Sequence, residues 1–265
     1  MMQKKYRSIW ISDVHLGTRG CKANDLCNFL KSTSCDHLYL VGDIVDGWKL
    51  KRSWYWPQTH SNVIRRLLTY AKRGTKITYI TGNHDEFLRD WIGDKLLIGS
   101  MTIVNQFDHI GVDGKKYLII HGDLFDTITR NYKWISILGD IVYELLIITN
   151  AILNKTRNWF GLGYWSFSRY IKTNTKQATN FIFSFEKLLT KYALDRGYHG
   201  VLCGHIHMPE IKKIYDIIYL NDGCWIENCS ALVEEHNGTF KLLIQGTDGM
   251  MHVEKIYNPV TEIIT

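Results

Sequence analysis

Short apolar runs, each stopping at a polar cluster, divide the first part of the chain. Ile9, Trp10 and Ile11 lie within a run over residues 8–12 that ends at Asp13-Val14-His15. Residues 37–41 lead to Gly42-Asp43, and residues 76–81 lead to Gly82-Asn83-His84-Asp85. Runs of this length and composition predict strands. Between them, residues 22–31 put Leu26, Phe29 and Leu30 on one helical face. Residues 58–72 read as a second helix, with Gly74 placed to cap its end. Strands alternating with helices predict a largely parallel α/β unit, in which ligands bind beyond the carboxyl ends of the strands.

From residue 101 the pattern turns strand-rich. Residues 101–104, 106–112 and 117–120 are the expected strands, the last ending at His121-Gly122-Asp123. Residues 127–154 and 165–194 then read as long helices, separated by the glycine-containing stretch 158–164. Short strands return at 201–203, 210–215, 217–220, 230–234 and 240–244, and the first of these ends at Gly204-His205-Ile206-His207. The residues after Gly246 look like a weakly specified tail. The stretch 135–153 is apolar enough to raise the question of a membrane span, but Asp140, Glu144 and Asn150 interrupt it. A span needs about 20 predominantly apolar residues, so a buried or interface-lying helix is the better reading.

Composition narrows the class. A chain of 265 residues that is 45% hydrophobic and has three prolines packs as one large domain or a domain with an insertion. Its six cysteines form no CxxC pair, and residues 1–7 are polar and basic rather than apolar. The expectation is a cytoplasmic chain with free thiols. The net charge of +6 points to an anionic partner. Much of the excess falls between Arg130 and Lys191, where nine basic side chains meet three acidic ones among many aromatic and aliphatic residues. A stretch both basic and apolar suits an anionic amphiphile or a membrane surface. Nucleic acid is disfavoured as a partner, since it calls for a broad basic groove with stacking aromatics.

Each of the five polar clusters offers carboxylate, amide or imidazole donors. Taken singly they say little: Asp13 could cap a turn, Gly82-Asn83 is a common turn pair, and His205-Ile206-His207 could bind one zinc or nothing. In this order, each after a strand, they suit a centre for two cations about 3.5–4 Å apart. Asp43 is the candidate bridging carboxylate. Asp13, His15 and one terminal histidine would complete one site; Asn83, His121 and the other terminal histidine would complete the second. Mixed imidazole, carboxylate and amide donors suit Mn²⁺, Fe²⁺ or Zn²⁺ more than Ca²⁺. His37, His60, His109, His199, His236 and His252 lack such context and read as surface or packing residues.

Asp-x-His, Gly-Asp, Gly-Asn-His-Asp, His-Gly-Asp and Gly-His-x-His together resemble the signature of the calcineurin-like metallophosphoesterase superfamily. The resemblance covers residues 6–245. It implies an α/β (α+β sandwich) fold of two mixed β-sheets packed face to face with flanking helices. The core would be 1–126 with 195–250, the helical cap insertion 127–194 and the tail 251–265. It makes Asp13, His15, Asp43, Asn83, His121, His205 and His207 the ligands of two divalent metal ions, commonly Mn²⁺. The runs Ile-Ser-Asp-Val-His-Leu-Gly, Leu-Val-Gly-Asp-Ile-Val-Asp-Gly-Trp and Asp-Gly-Cys-Trp, with the helical insert, resemble UDP-2,3-diacylglucosamine hydrolases. That family cleaves a pyrophosphate in lipid A synthesis, giving UMP and an acylated sugar phosphate. The expected chemistry is attack on phosphorus by hydroxide from a cation-activated water.

One departure bears on the substrate. Those hydrolases typically carry arginine after the motif asparagine, whereas this chain has His84. Histidine can donate a proton to a leaving oxygen, so His84 is the candidate general acid, oriented by Asp85 or another acid. The same difference leaves open a sister branch acting on another phosphodiester or diphosphate, a nuclease included. Candidate substrate contacts are Trp48, Arg52, Arg89, Arg169, Lys172 and Lys176, with Lys49, Trp54 and Trp56 near the pocket mouth. The expected partner is a nucleotide-linked amphiphile, with peripheral contact to the cytoplasmic face of an inner membrane.

Overall fold

The computed structural model describes residues 3–92, 101–125, 157 and 176–265. The chain divides into two compact units, Met1–Asp123 with Thr190–Thr265, and Leu124–Leu189.

The first unit holds two mixed sheets. Its elements run β1 (Lys4–Ile11), α1 (Ala23–Ser32), β2 (Thr33–Val41), α2 (Gly47–Arg52), α3 (Gln58–Lys72), β3 (Lys76–Ile80), β4 (Met101–Val104), β5 (Gln106–Ile110) and β6 (Lys116–Ile120). After α4 (Lys176–Leu194) come β7 (Gly200–Cys203), β8 (Glu210–Ile214), β9 (Ile217–Asn221), β10 (Ser230–Glu234), β11 (Phe240–Gln245), β12 (Met251–Asn258) and β13 (Ile263–Ile264). One sheet has the order β13-β12-β11-β10-β1-β2-β3-β4, and the other β5-β6-β7-β9-β8. Strands β1 to β4 are parallel, as are β6, β7 and β9.

Period-two alternation decides which layer each side chain enters. Ile9, Ile11, Leu38, Leu40, Ile77 and Tyr79 pack in one core with Leu26, Phe29 and Leu30 of α1 and Val63, Leu67 and Tyr70 of α3. Trp10, Tyr39, Val41 and Ile80 point the other way, into a second core shared with Tyr117, Ile119, Leu202 and Leu220 of the smaller sheet. Strands buried on both faces read as nearly continuous apolar runs, which is why the sequence marks them well. The inter-sheet layer also contains a polar tie. Glu234 accepts from Arg7 Nη1 at 2.7 Å and lies 3.0 Å from His109 Nε2, while His109 Nδ1 is 2.9 Å from the Tyr39 hydroxyl.

Two local differences from the sequence reading stand out. The stretch after Asp43, to which the sequence reading assigned no element, holds a short helix, α2, capped by Asp46, whose Oδ1 accepts from Lys49 N at 2.7 Å. The expected tail forms β12 and β13 on the edge of the large sheet. Strand β12 skips Glu254 opposite Leu242 and Leu243, and this irregularity breaks the alternation that would have revealed it. All six cysteines are free thiols.

In the second unit, Phe125 and Phe185 are buried and meet edge to face at 6.5 Å, while Phe183 is half exposed. The segment expected as helix 127–154, and Arg169 and Lys172, lie outside the described residues. Among the described residues no helix is long and apolar enough to cross a membrane.

Candidate metal centre

All five polar clusters follow parallel strands, at the carboxyl ends of β1, β2, β3, β6 and β7. Backbone bonds lace these ends together: Asp13 N donates to Gly42 O, His15 N to Asp43 O and Gly204 N to His121 O. Asp13, His15, Asp43, His205 and His207 all have positive φ, between 49° and 68°. Non-glycine residues enter this region rarely, at about 1–3 kcal/mol each, and such residues concentrate at functional sites. Nothing in the sequence marks that strain. Glycines allow the close approach. A Cβ on Gly82 would land on Asp43 Oδ1, and one on Gly204 would land on the Ser12 hydroxyl.

Two donor clusters of the expected ligands result among the described residues, and a third group, His15 with Asp46 and His84, lies beside them. Asp13, His15 and His207 form one, with ligand atoms within 4.8 Å of one another; Asp43, His121 and His205 form the other within the same limit. Asp43 faces both, its Oδ2 lying 3.3 Å from His121 Nε2 and 3.9 Å from His15 Nε2. The sequence left open which terminal histidine joins which group. The fold puts His207 beside Asp13, at 3.0 Å, and His205 beside His121, ring to ring at 5.1 Å.

The donor set fits divalent cations. His121 Nδ1 donates to Val41 O at 2.8 Å, and His15 Nδ1 faces Asp46 Oδ2 at 3.3 Å, so each ring presents Nε2 inward. Those two Nε2 atoms and Asn83 Oδ1 are buried without a hydrogen-bond partner. Buried polar atoms left unpartnered beside carboxylates call for an explanation, and a cation supplies one.

Protons take its place in the metal-free protein. Burial lowers the pKa of His15, but the carboxylates of Asp13, Asp46 and Asp43 outweigh it and push the imidazole up to about 10. His207, buried beside Asp13 and Cys224, is pushed up to about 9 on the same balance. Both rings are therefore protonated at neutral pH and must lose that proton to bind metal. Apparent Mn²⁺ affinity should rise with pH from 6.5 towards about 9, with net proton release. Titration calorimetry in buffers of differing ionisation enthalpy measures this, and a flat affinity would contradict it. The sign for metal-free stability is opposite. The ion pairs of these raised histidines are complete below pH 6.5 and are lost as pH passes through about 9 to 10.

His84 sits at the rim of the centre. Its ring packs edge-on to His15 at 4.6 Å, and Trp48 covers it at 4.5 Å. Its partner is not its sequence neighbour. The Asp85 carboxylate accepts from Gly82 N at 2.6 Å, Ile44 N at 2.9 Å and the Tyr79 hydroxyl at 2.6 Å, which ties two loops together. Asp46, which the sequence reading did not single out, faces both His84 Nδ1 at 3.1 Å and His15 Nδ1 at 3.3 Å. Burial would raise the Asp46 carboxyl, but the two imidazoles hold it far below the usual range. Its sequence signal is its place three residues after Asp43, where it also caps α2.

The expected substrate contacts separate. Arg89 is engaged within the protein, donating to Asp123 Oδ2 at 2.6 Å and Gly82 O at 3.3 Å, so it braces the Gly82 turn instead of standing free for phosphate. Trp48 donates to Glu86 Oε1 at 3.0 Å, and Arg52 is exposed on α2. Trp54 is 75% exposed and stacks near Trp56. Lys176 begins α4.

The calcineurin-like phosphoesterase family model matches residues 6–209. The chain belongs to that family. It is therefore a metal-dependent hydrolase of phosphoesters, and family membership implies divalent metal ions at the centre just described. Among similar proteins, the UDP-2,3-diacylglucosamine hydrolase of Blochmanniella pennsylvanica is 26% identical over 242 residues, spanning 86% of this chain and 92% of that protein. The protein of the same name from Psychromonas ingrahamii is 31% identical over 162 residues, 58% of this chain and 63% of its own. Of solved structures, Yfce, a phosphoesterase from E. coli, superposes with a TM-score of 0.46 at 12% identity, covering 92% of this chain and 95% of that one.

Proposed function

We propose that this phosphoesterase hydrolyses the pyrophosphate bond of an acylated nucleotide sugar, UDP-2,3-diacylglucosamine or a near relative, releasing UMP and an acylated sugar 1-phosphate. The observation that carries the phosphoryl chemistry is Asp43 facing both donor clusters, with His84 held beside them. The substrate rests on hydrolases of that name that are similar over 86% of the chain.

In this reading Asp13, His15, His207 and Asp43 hold one divalent cation, and Asp43, Asn83, His121 and His205 hold the second. When bound, the cations supply Lewis acidity toward water and phosphoryl oxygens. Mn²⁺ is the proposed metal, given the mixed donors. His84, with Nδ1 turned to Asp46, presents Nε2 4.0 Å from Asp43 Oδ2 and so toward the phosphoryl group. There it donates a proton to the departing oxygen. Trp48 covers the imidazole and limits its access to water.

The basic, apolar stretch between Arg130 and Lys191 supports an insertion that receives acyl chains and touches the cytoplasmic face of a membrane. His84 at a position where the lipid A hydrolases carry arginine supports a second reading, a sister branch acting on another diphosphate or phosphodiester. Product analysis separates them. Mn²⁺-loaded protein should release UMP from UDP-2,3-diacylglucosamine and much less from UDP-glucosamine. Cleavage of bis(p-nitrophenyl) phosphate with neither UDP-sugar cleaved would overturn the lipid reading and leave the phosphoesterase standing.

A further inference from the structure

The Ser12 hydroxyl has one hydrogen and too many acceptors. Its Oγ lies 2.6 Å from Asp13 Oδ2, 2.6 Å from Asp222 Oδ1 and 3.1 Å from Gly223 O. All three side chains are buried, Asp13 and Asp222 completely. Were both carboxylates ionised, one of the 2.6 Å contacts would set lone pair against lone pair. A carboxyl proton must therefore lie in one of them.

The surroundings decide which. Asp13 is ringed by donors: its Oδ2 also accepts from His205 N at 2.9 Å, and its Oδ1 lies 3.0 Å from His207 Nε2. Asp222 has no such support, and its Oδ2 is buried without any partner. Asp13 is the anion and Asp222 the neutral acid. A cation at Asp13 strengthens this assignment, because it favours the ionised form of its ligand. Burial, and then the Asp13 charge, push the Asp222 carboxyl well above its usual range, in agreement with the hydrogen count.

We propose that Asp222 is a positioning residue of the metal centre, donating to Ser12 Oγ so that Ser12 donates to Asp13 Oδ2 and fixes the ligand carboxylate. The chain of hydrogens then runs one way, and Asp13 Oδ1 is left to face His15 and His207. The backbone around Asp222 is built for this. Asp222 N donates to Cys203 O, Trp225 N to Asp13 O, and Asn221 Nδ2 to Gly204 O at 2.9 Å. The turn after β9 thus supports both Asp13 and the Gly204–His207 loop. A neutral donor here also spares the centre a further carboxylate charge beside Asp13, Asp43 and Asp46.

This inference rests on Asp13 being a metal ligand, so the test includes that control. Asp13→Ala should abolish Mn²⁺ uptake; uptake unchanged there would sink the ligand scheme itself. With that control passed, Asp222→Asn, whose amide N–H can donate as the acid does, should keep Mn²⁺ affinity within about twofold. Asp222→Ala and Ser12→Ala should each lose about 10–100-fold, and the double variant no more than the worse single one, because both act through one contact. Isotope-edited infrared difference spectra between the unmodified protein and Asp222→Asn should show loss of a protonated-carboxyl C=O band. This readout holds even if Asp222→Ala fails to fold. Asp222→Asn as damaging as Asp222→Ala, or no acid band lost, would overturn the proposal.

Discussion

Asp43→Ala should lose bound metal and phosphoester hydrolysis together, with turnover down by about 10³-fold or more. The carboxylate is almost fully buried. Its Oδ2 lies within 4.0 Å of Nε2 of His121, His15 and His84, and its Oδ1 accepts from His84 N at 2.9 Å. Among the described residues, it is the carboxylate that faces both donor clusters. Burial alone would raise its pKa, but His121 and His15 hold it well below the ordinary carboxylate range. Removing it leaves three imidazoles around a void, and His121 loses the carboxylate that lies 3.3 Å from its Nε2. Asp43→Asn sharpens the experiment. The amide oxygen can still accept from His84 N and preserve the loop, but the charge facing both donor clusters is gone. The expected result is a folded protein with less than its full metal complement by elemental analysis, and little activity on bis(p-nitrophenyl) phosphate. Full metal content and full rate in Asp43→Ala would refute the bridging role.

How much of this centre could be read from the chain depends on the distance over which each role is set. Asp13, Asp43 and Asn83 each follow an apolar run buried on both faces, so strand end and candidate ligand are marked in the same few residues. The pairing of His205 and His207 with opposite clusters was not marked, because it depends on a turn in which both residues take positive φ. Asp85 misled by adjacency. In the tight Gly82–Asp85 turn its carboxylate folds back onto Gly82 N and Ile44 N, away from the His84 ring. Asp46, 38 positions before His84, reaches the imidazole because the ends of β2 and β3 lie side by side. Arg89 and Asp123 meet across 34 positions in the same way, and no local pattern announces such a pair. Strand β12, next to the sheet edge, was lost for a further reason besides its irregular register. Of its eight residues only Tyr257 is buried, so hydrophobicity barely registers there.

His84→Ala should leave metal content intact and lower turnover by about 10²–10⁴-fold on substrates whose leaving group needs a proton. The imidazole is paired with Asp46 and covered by Trp48, and although its ring meets His15 and Asp43 it stands outside the proposed ligand set. The loss should depend on the leaving group. p-Nitrophenolate departs readily without a proton, so the variant should lose far less on a nitrophenyl ester than on an alkyl ester or a sugar diphosphate. A histidine that merely clamped phosphate would lose equally on all three, and equal losses would remove the general-acid role. Asp46 supplies the complementary case, since it faces His15 as well as His84. Asp46→Asn should therefore impair both proton donation and the orientation of a metal-facing ring, lowering turnover and Mn²⁺ affinity at once. The second effect should be about 10–100-fold, the size expected when a group orienting a ligand histidine is removed. A variant of Asp46 that lost turnover with unchanged affinity would show that His15 keeps its orientation without it, and would confine the carboxylate to the service of His84.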